Sequence, residues 1–207
     1  MITPAFVAIW LAWVMAAGSP GPATMGIAGT AMNEGRIAGL SFALGICAGS
    51  AAWGIAAALG LSAIMLANVW VFEVIRYLGV AYLGWLAFKA LQRAMTSDEV
   101  ALGKPVTGSL GTIFAKGAGI HLTNPKAILS WGSIYAIVAP SDASLLMLFG
   151  YFGLLYAGSL LTFIGYAFLF SSARVVRTYR RARRWFDFAF AGFFGLASYK
   201  ILTVRLS

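Results

Sequence analysis

The stretch Ser19-Pro20-Gly21-Pro22 interrupts the first apolar segment of the chain and decides how that segment crosses a membrane. Residues 1–33 carry no charged side chain. As one straight helix, residues 2–32 would extend about 46 Å, against a bilayer hydrocarbon core of roughly 30 Å. A proline inside a helix removes a backbone donor and clashes with the preceding turn. The segment is therefore predicted to break near residue 20.

A second proline motif, Thr123-Asn124-Pro125-Lys126, follows 105 positions later and interrupts another apolar segment. In hydrocarbon, backbone groups freed by a break need partners, so broken spans occur only inside protein or along a cavity. The two motifs are therefore predicted to form a binding site.

The composition is that of an integral membrane protein. Of 207 residues, 61% are hydrophobic and 10% are charged, whereas charged residues make up about 25% of a typical soluble domain. The net charge of +9 does not indicate nucleic-acid binding, because the basic residues lie between apolar spans. The N-terminus lacks the basic region of a signal peptide, so the first segment is expected to be a retained span.

Six spans are predicted, at about 5–32, 39–67, 70–91, 111–139, 143–171 and 185–206, with the first and fourth broken. They form a single transmembrane domain, with repeat one at about 1–91, a cytoplasmic linker at about 92–110 and repeat two at about 111–207. Because each repeat has three spans, the second enters the membrane from the opposite side, as in many secondary transporters. The predicted fold class is thus an all-α integral membrane protein with two inverted three-helix repeats.

The basic residues are distributed unevenly between alternate loops. Eleven of the 15 lie in one set of loops, namely Arg36, Lys89, Arg93, Lys104, Lys116, Arg174, Arg177, Arg180, Arg181, Arg183 and Arg184. Since basic residues are retained in the cytoplasm, both termini are predicted to lie outside. The Arg174–Arg184 segment is predicted to be a cytoplasmic loop that fixes orientation and contacts anionic lipid.

Each motif can begin a new half-helix near the membrane midplane. Ser19 is predicted to cap the first with Pro20 at its first position, and Asn124 to cap the second with Pro125 at its first position. The positive dipole ends of these half-helices then face a common region that favours a carboxylate. The preceding half-helices end there with unpaired carbonyl groups that suit an ammonium group. A zwitterion would satisfy both.

The free backbone donors at this site are predicted to be the N–H groups of Gly21, Ala23, Lys126 and Ala127. The substrate site is predicted to comprise two short segments, whose members are Ser19, Pro20, Gly21, Pro22, Ala23, Thr24, Thr123, Asn124, Pro125 and Lys126.

Four ionisable residues are functional candidates. Lys126 has two open interpretations. It acts in the site, or it has a structural role in which it snorkels to the membrane surface or pairs with an acid. His121, the only histidine, is a candidate for proton coupling. The alternative is a structural role, which is more common for a lone histidine. Glu34 and Asp187 are expected near the cytoplasmic face, where a proton-coupled gate and a surface ion pair are both open.

Other chemistry has little support in the sequence. It contains no metal-ligand cluster, paired catalytic carboxylates or phosphate loop, and no cofactor is expected. The single Cys47 excludes a two-thiol relay within one chain. Gly45 and Gly49 form a Gly-x-x-x-Gly pair that allows close helix approach. Trp13, Trp53 and Trp131 lie deep in the spans, where packing is favoured over lining a cavity.

Four stretches together resemble the LysE/RhtB family of amino-acid exporters: the Ser-Pro-Gly-Pro motif, YLGVAYLGWL at 77–86, LTNPKAIL at 122–129 and GFFGLASYKIL at 192–202. The resemblance covers essentially the whole chain. It implies a bacterial inner-membrane protein of six spans, with both termini periplasmic by the charge distribution. The implied activity is export of amino acids or their derivatives by proton exchange, and a homodimer is suggested by analogy.

One position departs from the family pattern. An Asn or Asp commonly follows Pro-Gly-Pro in the family, whereas this chain has Ala23. The resemblance therefore implies a neutral rather than a cationic amino acid as substrate. The alternatives are a membrane redox or enzyme subunit, against which the lone cysteine argues, and a non-transporting lipid-binding assembly protein.

Overall fold

A computed structural model describes residues 4–67, 69–96, 104–139 and 143–203. The described residues form eight helices and no strand: α1 Pro4–Gly18, α2 Pro22–Asn33, α3 Arg36–Ala67, α4 Val69–Met95, α5 Leu110–Leu122, α6 Pro125–Val138, α7 Leu145–Phe170 and α8 Ala173–Thr203. The prediction of an all-helical chain is confirmed.

The helix boundaries fall at both proline motifs. Helix α1 ends at Gly18 and α2 begins at Pro22, while α5 ends at Leu122 and α6 begins at Pro125. Helix α4 extends a few residues beyond the predicted end of the third span. The centre of the predicted linker, residues 97–103, lies outside the described residues.

The prediction that Arg174–Arg184 is a loop is wrong. Helix α8 begins at Ala173 rather than near residue 185, and the polybasic segment forms its first turns. Arginine is a good helix former, and neither glycine nor proline interrupts this segment. Arg183 also pairs with Asp187 one turn later, which adds a stabilising contact on the same helix.

The packing of the helices follows a reciprocal pattern between the two halves of the chain. Helix α3 packs against both α5 and α6, and α7 packs against both α1 and α2. Helix α3 also packs against α7, and α4 packs against α8. Each interrupted helix pair is therefore held by a long helix from the other half.

Among the described residues, two helices are long and apolar enough to cross a bilayer. By length and composition these are α3, over Arg36–Gly60, and α7, over Leu145–Phe170. The apolar part of α1, Ile9–Gly18, is too short to span alone. Helix α4 carries basic residues near its C-terminal end, and α8 carries them near its N-terminal end.

Glycines bring α3 and α5 into backbone contact. A Cβ atom at Gly45 would clash with the backbone carbonyl oxygen of Phe114, and one at Gly117 would lie 2.5 Å from the backbone oxygen of Phe42. A Cβ at Gly49 would lie 2.9 Å from the Cβ of His121. The predicted close approach at Gly45 and Gly49 is confirmed, and it fixes the position of α5 before its end at the second motif.

We expect Gly45→Ala to lower the midpoint of thermal unfolding of the detergent-solubilised protein. Forcing the two backbones apart should cost about 1–3 kcal/mol, more than the roughly 1 kcal/mol that alanine gains over glycine in a helix. The matched control is Gly119→Ala on α5, where an added Cβ meets nothing within 4 Å. Equal midpoints for the two variants would contradict this account of the interface.

Candidate functional site

The first interruption is closed by a threonine rather than by the predicted serine. Gly21 is the N-cap of α2, Pro22 occupies its first position, and the hydroxyl of Thr24 accepts a hydrogen bond from Gly21 N at 3.1 Å. Ser19 instead belongs to the end of α1, where its hydroxyl donates to Ala16 O at 2.9 Å. The cap prediction fails because Pro20 has no N–H and a second proline lies two residues later, so the helix starts at the last proline.

The second interruption follows the prediction for its cap. Asn124 is the N-cap of α6 with Pro125 at the first position, and its side-chain oxygen accepts from Lys126 N at 3.0 Å. Ala127 N donates to the backbone oxygen of Asn124 at 2.9 Å. The expectation that the N–H groups of Gly21, Lys126 and Ala127 are free is therefore wrong, because local turns and caps satisfy them.

The side chain of Lys126 joins the two interruptions. Its Nζ donates to the backbone oxygen of Ser19 at 2.9 Å and to the hydroxyl of Ser19 at 2.6 Å. Among the described residues, no carboxylate lies within ion-pair distance of this ammonium group. Lys126 therefore neither pairs with an acid nor points away from the motifs.

The carbonyl groups at the end of α1 also have partners. The hydroxyl of Tyr166 on α7 donates to Gly18 O, and Ser19 O accepts from Thr24 at 3.2 Å as well as from Lys126. An ammonium group from a substrate would have to replace one of these donors. The expected open carbonyls are thus occupied in this conformation.

A small cavity of about 30 Å³ lies between the interruptions. This volume holds about two water molecules. The cavity has a polar wall formed from both motifs and from three serines, and an aromatic wall; its lining includes Trp13, Gly21, Ala23, Thr24, Ser50, His121, Asn124, Lys126, Ser130, Trp131, Ser159 and Phe163.

The aromatic wall is held in place by hydrogen bonds. The indole N–H of Trp13 donates to Ser159, and that of Trp131 donates to Ser50, at 3.0 and 3.1 Å. The two indole rings lie 4.5 Å apart between centroids. Trp13 and Trp131 pack in the hydrophobic core, as the favoured prediction has it, and they also line the cavity. Trp53 donates to Leu122 O and lies outside the cavity.

A larger groove of about 440 Å³ lies on the other side of Lys126. Its walls come from α4, α6 and the first motif, and its lining comprises Pro20, Gly21, Pro22, Tyr82, Trp85, Leu86, Lys89, Arg93, Asn124, Pro125, Lys126 and Leu129. Lys126, Gly21 and Asn124 line both spaces. The lysine side chain therefore lies at the boundary between the cavity and the groove.

His121 faces the small cavity. The side chain is buried, its ring packs edge-on against Phe163 at 5.6 Å, and its Nδ1 atom has no hydrogen-bond partner in the part of the chain that the structure describes. Buried polar atoms are usually paired. An unpaired nitrogen at a cavity wall is therefore available to a bound molecule.

The two acidic candidates lie in different surroundings. Asp187 is fully buried, and its two oxygens accept from Arg93 at 3.1 Å and Arg183 at 3.3 Å. Arg93 also lines the groove, so this ion-pair cluster lies beside it. Glu34 is exposed at the C-terminal end of α2 and lines neither space.

The structure brings most of the predicted site together. Ser19 contacts Lys126, and the remaining members of the two motifs line the cavity, the groove or both, except Thr123. The hydroxyl of Thr123 is exposed and donates back to Gly119 O. Sequence reasoning missed Ser50, Ser130 and Ser159, although a serine within an apolar span is itself a signal of a polar cavity.

An all-helical chain with interrupted helices, a small cavity between them lined by polar and aromatic residues, and a groove beside it is typical of a helical membrane transporter. The family model described as LysE type translocator matches residues 14–204, and the chain belongs to this family. The resemblance predicted from the motifs is thereby confirmed. Membership identifies a multi-pass transporter of the inner membrane and not an enzyme.

Curated relatives match over most of the chain. The Threonine efflux protein of Escherichia coli (strain K12) is 30% identical over 201 residues, which cover 96% of this chain and 98% of that protein. The Threonine efflux protein of Salmonella typhimurium matches with the same identity and coverage. The Leucine efflux protein of Salmonella choleraesuis is 33% identical over 116 residues, 56% of this chain and 54% of that protein. No solved structure matches the chain.

We expect Asp187→Ala to destabilise the protein strongly. The substitution leaves two arginines without their shared counter-ion, and breaking a buried pair in this way typically costs about 3–5 kcal/mol. Partial exposure of Arg93 and Arg183 places the effect at the lower end. The measurement is the yield and thermal midpoint of purified protein, with the exposed acid variant Glu34→Ala as control. Similar midpoints for the two variants would show that the cluster contributes nothing.

Proposed function

We propose that this protein exports a neutral amino acid or a close analogue across the inner membrane. The observation that carries the proposal is the meeting of both interrupted helices at one small cavity with polar and aromatic lining residues, joined by the contact between Lys126 and Ser19. The names of the relatives, threonine and leucine efflux proteins, support a neutral amino acid as the substrate class.

The lining of the cavity supports a neutral over a cationic substrate. None of the described residues that line it is an aspartate or glutamate, and one of them is the cation Lys126. A lysine- or arginine-like side chain would enter without a counter-ion, at a cost that burial makes large. An aliphatic or hydroxyl side chain can instead pack against the rings of Trp13, Trp131 and Phe163 or bond to a serine.

We further propose six spans arranged as two inverted repeats. The first repeat contains α1 to α4 and the second α5 to α8, and each interrupted pair counts as one span. The reciprocal packing of α3 on α5 and α6, and of α7 on α1 and α2, supports this division. The basic residues at the end of α4 and the start of α8 favour a cytoplasmic position there and periplasmic termini. Lipid contact by Arg174–Arg184 and a homodimer stay predictions.

The volumes support an alternating-access cycle. A cavity of about 30 Å³ is far too small for an amino acid, whereas the groove of about 440 Å³ is not. The groove carries Lys89 and Arg93, which attract a carboxylate. Entry from this cytoplasmic groove, opening at Lys126 and release on the opposite side give export.

The site assignment predicts that Asn124→Ala lowers transport at least tenfold. The substitution removes the cap of α6 and one polar wall of the cavity. Efflux of L-threonine, L-leucine and a panel of other amino acids is first screened in cells that overproduce the protein, and counterflow of the best substrate is then measured in proteoliposomes. Asn33→Ala, at an exposed asparagine of α2, is the matched control. Full transport by both Asn124→Ala and Pro20→Ala would remove the site assignment.

Proton exchange is proposed to use His121. Its unpaired Nδ1 faces the cavity, and an imidazole nitrogen can accept and release a proton. We expect His121→Asn to abolish the stimulation of efflux by an imposed pH gradient while counterflow, which needs no net proton movement, continues. Undiminished stimulation in this variant would exclude His121 as the coupling residue.

A further inference from the structure

The ammonium group of Lys126 occupies a position where a substrate amine would be expected to bind. Its Nζ contacts the backbone oxygen and the hydroxyl of Ser19, immediately after the C-terminal end of α1. That end of a helix carries partial negative charge and favours cations. The side chain reaches there by lying across Gly21, since a Cβ at Gly21 would lie 3.5 Å from Nζ and 3.6 Å from Cδ of Lys126.

We propose that Lys126 is a tethered stand-in for the ammonium group of the substrate. In the unloaded site its Nζ satisfies the acceptors of Ser19, and an incoming amino acid displaces it from them. The inference rests on the proposed function. It adds that Lys126 closes the empty site and that the substrate amine binds at the acceptors of Ser19.

The chemistry of the two groups is the same. A lysine side chain ends in a primary ammonium with three donors, as does the amino group of a zwitterionic amino acid. Two such cations cannot share the acceptors of Ser19, because like charges at hydrogen-bond spacing repel strongly. Without either cation, Ser19 O would keep the hydrogen bond from Thr24, but the Ser19 hydroxyl oxygen would lose its donor. A buried group left unpaired costs about 1–3 kcal/mol. One cation must therefore leave when the other arrives.

The position of Lys126 makes the displacement consequential for access. The residue lies at the boundary of the cavity and the groove, and Gly21 and Asn124 line both spaces beside it. Glycine and a short amide leave the lysine side chain as the longest group between them. Its movement away from Ser19 would join the two spaces and give the substrate the room that the cavity lacks.

The opposite role for Lys126 is a direct anchor for the substrate carboxylate. In that role the ammonium would gain a partner on substrate binding, and loss of the charge would weaken binding. In the stand-in role, loss of the charge removes a competitor and strengthens binding. The sign of the change in affinity therefore separates the two roles.

The first test uses the full-length protein in proteoliposomes, with L-threonine and L-leucine as probes. We expect Lys126→Met to bind the transported probe at least threefold more tightly than the wild type. Its net efflux into substrate-free buffer should fall at least tenfold while counterflow is retained, since only net efflux requires the empty site to return. Lys116→Met, at an exposed lysine of α5, should match the wild type. Weaker binding by Lys126→Met, or equal losses of net efflux and counterflow, would overturn the inference.

A second test needs no variant. Wild-type protein is labelled with an amine-reactive reagent, and the labelling of each lysine is measured by mass spectrometry. Because the amino-acid probe also consumes reagent, the labelling of Lys116 serves as the internal standard. Addition of the transported probe should raise the labelling of Lys126 relative to Lys116 at least twofold. An unchanged or lowered ratio counts against displacement. A wild type that transports neither probe nor any amino acid of the panel would instead refute the proposed function itself.

Discussion

A cation in apolar surroundings needs hydrogen-bond acceptors, and this constraint organises the centre of the molecule. Lys126 has no carboxylate partner among the described residues, so the backbone and hydroxyl of Ser19 supply its acceptors. An isolated charge buried without partners would cost far more than the few kcal/mol of a lost hydrogen bond. The end of α1 must therefore lie within reach of the start of α6. The small cavity and the groove are the spaces left on either side of this contact.

Each interruption caps the helix that follows it, but the two caps differ in their hydrogen bonds. Asn124 closes the second with a side-chain cap, whereas the first has a glycine cap whose N–H is satisfied by Thr24. The Lys126 side chain lies over Gly21, where an added Cβ would meet it in ordinary van der Waals contact. The first interruption thus supplies the acceptors, and the second supplies the cation. The resulting site is asymmetric although the packing of the long helices is reciprocal.

Much of this arrangement could be predicted from the sequence because proline acts locally. The positions of both interruptions, the Asn124 cap and the close approach at Gly45 follow from one residue and its neighbours. The cap of α2 could not be assigned in the same way, because Ser19, Gly21 and the two prolines offered competing helix starts. The contact between Lys126 and Ser19 joins residues 107 positions apart, and no local rule predicts such a partner. The helical start of α8 was missed because a run of arginines is typical of cytoplasmic loops and is also compatible with a helix.

The rigid and adjustable parts of the molecule differ in the kind of contact that holds them. Between α3 and α5 the backbones touch at glycines, so no side chain can rotate to allow sliding. At the interruptions, by contrast, the contact between Ser19 and Lys126 runs through a four-carbon side chain with many rotamers. Its two hydrogen bonds can be exchanged for those of another ammonium at little net cost. A transporter needs a rigid frame around a contact that its substrate can replace. The glycine contacts between α3 and α5 provide the frame, and the hydrogen bonds between Lys126 and Ser19 provide the replaceable contact.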